Sequence, residues 1–106
     1  MLTIEDIKQA YEDGVTLRFK RKPASDRRKG EFDPLTLEVK VFLTDQESRE
    51  DKDITILHEF IHVRDNIEGH RHYRPRRDSA VEREAENTYR YRHNVLEFIK
   101  QLYRIK

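Results

Sequence analysis

His58-Glu59-Phe60-Ile61-His62 sets two imidazoles four residues apart with a carboxylate beside the first. On a helix, four residues make about one turn, so both rings leave one face about 6 Å apart along the axis. Two ring nitrogens in that relation can hold one Zn²⁺ at about 2.0–2.1 Å each. Glu59 lies about 100° further round, too near to be idle and wrongly angled to ligate. It can instead take a proton from a zinc-bound water, whose pKa the ion lowers to about 7. A chain of this composition contains one HExxH by chance in about 2–3 % of cases, so the surroundings must carry the argument. They do: the motif sits in a Pro- and Gly-free amphipathic segment, with Ile54, Leu57 and Ile61 beside the histidines.

A hydrolytic zinc needs a third protein ligand and one open position. Downstream, Glu82 flanks the apolar stripe Val81, Ala85 and Tyr89, which directs its carboxylate towards a core-lined site. Glu86, one turn on, suits a hydrogen bond to a zinc histidine or is a rival ligand, whereas Glu84 is expected to point away. His93, His70 and His72 are alternative ligands. His93, Tyr89 and Tyr91 are candidate donors to a developing oxyanion.

The elements that must position these groups follow from periodicity. Thr3 caps a first helix with Ile4, Ile7, Ala10 and Tyr11 on one face, closed by Gly14. Residues 15–20 alternate Val15, Leu17 and Phe19 with polar residues, as a strand with one buried face does. Residues 21–34 read as a loop, and 35–43 as a second strand, antiparallel and at a sheet edge. Asp53 is expected to cap the HExxH helix, 54–67, with Gly69 ending it. Residues 69–77 form a basic loop, and Asp78 or Ser79 caps a last helical stretch reaching Leu102. That stretch would span about 37 Å at 1.5 Å per residue, against about 33 Å for a domain of this size. A break at Arg92-His93-Asn94 resolves the conflict, and the apolar residues of 95–106 then seek a surface.

With 106 residues the chain makes one α+β domain. Its 22 basic and 21 acidic residues nearly cancel, which argues against disorder despite 41 % charged residues. The absence of cysteine excludes disulfide frameworks and thiolate zinc sites. No apolar run approaches a membrane span and no signal peptide is legible, so the expected location is cytoplasmic.

HEFIHVRD resembles the HExxH helix of gluzincins, and especially of the CAAX-protease and HtpX-type membrane metallopeptidases. Glu82-Arg83-Glu84-Ala85-Glu86 resembles their second motif, with Glu86 where Asp is usual. The chain is similar in length and motif order to the minigluzincins, their soluble minimal counterparts, over residues 35–90. That resemblance implies a small antiparallel or mixed sheet of about three strands packed on the HExxH helix and a C-terminal glutamate helix. It implies one zinc per chain, Glu82 as third ligand, and an extended peptide held by strand addition along an edge strand, here 35–43. It also implies latency, with residues 95–106 covering the cleft in cis or exchanged in a homodimer through the C-terminal helix.

The function expected is therefore a zinc-dependent metalloendopeptidase acting on peptide or protein substrates. Two other classes compete. The runs Lys20-Arg21-Lys22, Arg27-Arg28-Lys29 and 71–77, with Tyr73 for stacking, suit a nucleic-acid-binding module, which a net charge of only +1 disfavours. A zinc-binding regulatory protein without turnover is the other.

Overall fold

In the computed structural model, residues 1–21, 28–44, 48–69 and 78–105 are described. His70, His72, Tyr73 and the basic loop 71–77 lie outside these, as do Lys22 and Arg27.

Helix α1 (Ile4–Glu12) begins with a reciprocal cap. The Thr3 hydroxyl accepts from the Asp6 amide at 3.2 Å, and the Asp6 carboxylate accepts from the Thr3 amide at 2.9 Å. Two of the helix's orphan donors are thereby satisfied. Gly14 follows at φ 92°, a left-handed conformation that glycine adopts without strain.

The sheet has three strands, β1 (Thr16–Arg21), β2 (Gly30–Asp33) and β3 (Glu38–Leu43), in the order β1-β3-β2. β3 runs parallel to β1, with Leu17 opposite Val39, and antiparallel to β2, with Phe32 opposite Val39. This corrects two expectations. The strand sought in 35–43 is central rather than at the edge, and it starts at Glu38. Leu35 sits in the tight turn after Asp33, its amide bound to the Asp33 carboxylate at 2.8 Å, and is 92 % exposed. Four residues of the supposed loop 21–34 form β2, the edge strand on the other side. Only Leu17 of β1 is partly covered, and Phe19 is exposed, so β1 is a thinly covered edge.

On the open face of the sheet, charges alternate across all three strands. Arg18 pairs with Glu38 at 3.2 Å, Glu38 with Lys40 at 3.2 Å, Lys40 with Glu31 at 3.4 Å, and Glu31 with Arg28 at 3.2 Å. Two of these, Arg18–Glu38 and Lys40–Glu31, cross between strands; such pairs each stabilise by less than about 1 kcal/mol, and charges along the edges guard them against pairing with another chain.

The other face carries Val39 and Val41, fully buried against α2 (Arg49–Glu68). Ile56, Leu57, Phe60, Ile61 and Val63 of α2 are likewise buried, which makes this helix the centre of the core. Ser48 caps it, accepting from the Asp51 amide at 3.1 Å. Asp53, expected as the cap, instead lies within the helix, buried, with both carboxylate oxygens 3.2 Å from Lys100. A buried carboxylate needs such a partner.

The last stretch breaks where the length argument required. α3 (Asp78–Tyr91) stops, Arg92 leaves helical geometry at ψ 50°, and α4 (His93–Leu102) starts again. The longest dimension is 38 Å, and a straight helix from 78 to 102 would fill it. Folding back buries Val95, Leu96 and Ile99, while the Tyr103 hydroxyl donates to the Val15 carbonyl at 2.8 Å. The surface sought by residues 95–106 is thus found within the chain, beside α1 and α2. No helix among the described residues is long and apolar enough to cross a membrane.

Candidate metal centre

His58 and His62 leave α2 on one face, one turn apart, and their Nε2 atoms converge to 3.2 Å. Asp78, the first residue of α3, brings Oδ1 to 3.5 Å from His62 Nε2 and 3.9 Å from His58 Nε2. A point equidistant from three atoms at these separations lies about 2.1 Å from each. That matches zinc with nitrogen and carboxylate ligands at about 2.0–2.2 Å and is short for calcium at about 2.3–2.6 Å. Among the described residues this is the one group of three donors able to share an ion.

Glu82 stands elsewhere than expected. Its Oε2 lies 2.7 Å from His58 Nδ1, the ring nitrogen facing away from His62. A carboxylate there accepts the Nδ1 proton, which leaves Nε2 as a lone-pair donor aimed at the ion site. In this arrangement Glu82 is placed to orient His58, and Asp78 supplies the third donor atom of the group. Asp78 appeared in the sequence only as a helix cap. The available signal was its i, i+4 relation to Glu82, which sets both on one face of α3.

Glu86 is exposed, so the role expected of it at a zinc histidine is not the one it takes. Glu84 points away from the histidines, as expected, but into the α2–α3 contact rather than to solvent: it is largely buried against Arg64 of α2, at 2.5 and 3.1 Å. Burial works against the Arg64 charge, but its hydrogen bonds to the Glu84 and Asp65 carboxylates outweigh it and hold the guanidinium above its ordinary range. His93 is turned to the Tyr89 carbonyl at 3.0 Å and to Glu97 at 3.4 Å. His93, Tyr89 and Tyr91 line neither side of the cleft around His58. Nor does any residue of α4, so the expected tail lying over the site in cis gives way to a tail packed in the core.

Glu59 is 5 % exposed at the floor of this cleft. On one side a cavity of about 520 Å³ is bounded by Arg28, Lys29, Thr55 and Ser79, and on the other one of about 310 Å³ by Glu31, Phe32, Pro34 and Asn66. β2 forms the rim. Its Gly30 is the close approach: a Cβ there would meet the Lys40 carbonyl at 2.9 Å and the Glu59 carboxylate at 3.1 Å. Gly30→Ala is therefore expected to cost about 1–3 kcal/mol, as overpacking does, because a backbone oxygen cannot step aside. Urea unfolding midpoints would measure it, and an unchanged midpoint would mean that β2 does not press on Glu59. A third hollow, of about 210 Å³ between Phe19, Ile56 and Lys100, shares no lining residue with the cleft.

No family model, curated protein or solved structure matches the chain.

Without a metal, burial pushes the Glu59 carboxyl up to about 8, and the charges of Asp78, Glu31 and Glu82 push the same way. Burial, followed by the neighbouring His58, holds His62 below its ordinary 6.5. From its ordinary value up to about 8, folded Glu59 keeps a proton that the unfolded chain releases, so stability falls as pH rises. His62 acts oppositely, but only below 6.5. Metal-free protein should therefore lose about 2 kcal/mol between pH 6.5 and 8, at 1.36 kcal/mol per unit. Saturating zinc should remove that loss, since a nearby cation favours the ionised carboxylate. Urea unfolding across this range tests it, and metal-free stability that is flat or rising would contradict it.

Proposed function

We propose that the chain is a zinc-dependent metallopeptidase with a gluzincin-like HExxH helix, in which His58, His62 and Asp78 are the metal ligands, Asp78 standing where gluzincins use a glutamate, and Glu59 is the general base. The carrying observation is the convergence of two imidazole nitrogens and one carboxylate oxygen on a point about 2.1 Å from each, beside a buried glutamate. The likeness of HEFIHVRD to the gluzincin HExxH helix supports the metallopeptidase reading, whereas the likeness of the 82–86 segment would make Glu82 the third ligand in place of Asp78. When bound, zinc supplies a Lewis acid that polarises a carbonyl and makes a water acidic near pH 7.

The chain's own residues do the rest. Glu82 holds His58 in the tautomer that leaves Nε2 free. Glu59 takes the proton of the attacking water and passes it to the leaving nitrogen. Burial raises its proton affinity in the absence of metal, and a bound cation would favour its ionised, basic form. An extended peptide adds to the open edge of β2, whose Gly30–Asp33 segment rims the cleft, rather than to the central strand β3. Backbone pairing there would run the scissile bond past Glu59.

Cationic residues of the competing nucleic-acid reading are partly engaged elsewhere. Arg28 pairs with Glu31 at 3.2 Å and lies over the Phe42 ring at 5.4 Å.

The test is incubation of zinc-loaded protein with an unfolded protein substrate, with new amino termini identified by mass spectrometry. Cleavage that stops with a chelator and returns with zinc is expected. Absence of new termini at full zinc occupancy would refute the assignment.

A further inference from the structure

His58 and His62 ride on α2, while Asp78 and Glu82 ride on α3. The donor set therefore depends on the register between two helices. The buried residues that α3 offers are small: Val81, Ala85 and Thr88. Small side chains define a close contact but resist sliding and rolling weakly. A slip of one residue would displace each carboxylate of α3 by about 1.5 Å and turn it by about 100°. Neither the 2.7 Å contact of Glu82 with His58 Nδ1 nor the approach of Asp78 would survive that.

One polar contact between the helices has the geometry to prevent it. The Arg64 guanidinium, with 10 % of its side chain exposed, gives Nη1 and Nη2 to the two oxygens of Glu84 at 2.5 and 3.1 Å. Nε and Nη2 also donate to Asp65 at 3.1 and 2.7 Å, which locks the plane of the fork. A planar two-pronged contact fixes both axial position and roll, which a lysine ammonium cannot do. Buried ion pairs contribute little net stability, and setting register is their best-attested use.

We infer that Arg64 is the positioning residue of the metal centre, clamping Glu84 so that Asp78 and Glu82 on α3 meet His58 and His62 on α2. The metal-affinity consequence rests on the metallopeptidase reading; the effect on His58 does not.

Two variants of the full chain test it, Arg64→Lys, which keeps the charge and loses the fork, and Glu84→Gln, the milder change. The first readout is imidazole ¹⁵N shifts of metal-free protein. Wild type should show His58 protonated at Nδ1, and the variants a mixture of tautomers. The second is zinc affinity by competition with a chromogenic chelator, expected to fall about 10–100-fold, the range for outer-sphere partners of metal ligands. Folded variants with wild-type shifts and wild-type zinc affinity would overturn the inference. Should Arg64→Lys fail to fold, Glu84→Gln decides alone by the same readouts. Should wild type bind no zinc, the metallopeptidase reading falls, while the ¹⁵N shifts still decide the role of Arg64.

Discussion

Glu59→Gln is expected to cut peptide hydrolysis by about 10²–10⁴-fold, the usual contribution of a general base, while the protein still binds one zinc per chain. The amide keeps the shape of the carboxylate, so the close fit beside Gly30, where a Cβ would have no room, survives. What it loses is the ability to accept a proton. The same substitution should abolish the fall in metal-free stability between pH 6.5 and 8, because the group that titrates is gone. Kinetics with zinc occupancy measured in the same samples would separate the outcomes. Full zinc with full activity would show that Glu59 is not the base. Full zinc with no hydrolysis in wild type would favour a zinc-binding protein without turnover.

His62→Ala should lower zinc affinity by more than about 100-fold, beyond the 10–100-fold typical of groups that only orient a ligand. Glu82→Gln should fall inside that range, because Glu82 acts through His58 Nδ1. Asp78→Asn should fall above it. The order His62, Asp78, Glu82 is what distinguishes a donor from an orienting group, and a chelator competition series measures it. The helix should persist in all three, since Leu57, Phe60 and Ile61, all buried in the core, anchor it. An affinity loss for Glu82→Gln larger than for Asp78→Asn would make Glu82 the third ligand and Asp78 a bystander.

The parts of this site that were legible in the sequence are those set by helical period. Spacing alone brings His58 and His62 to one face with Glu59 alongside. Thr3 announces its cap because its partner Asp6 lies three residues away. The break after Tyr91 followed from length, since a helix that long cannot stay within so small a core. What stayed hidden depends on contacts between distant segments. β2 is only four residues, includes Gly30, and is a strand because β3 pairs with it. The parallel pairing of β1 with β3 leaves no mark in either strand's alternation. Asp53 resembles a cap from its neighbours, but its partner is Lys100, 47 residues on. Glu82, Glu84 and Glu86 alternate along α3, and period alone does not say that Glu84 meets Arg64 while Glu86 faces solvent. Asp78 becomes a candidate ligand only when α3 docks on α2.

The central claim is that hydrolysis is done by zinc held in this cleft. Titrating metal-free protein with zinc, and recording peptide cleavage at each addition, tests it most directly. The rate should rise in proportion to bound zinc and level off at one ion per chain, with His62→Ala giving no rise at the same concentrations. Cleavage that is already complete without zinc, or that does not change as the site fills, would contradict the account.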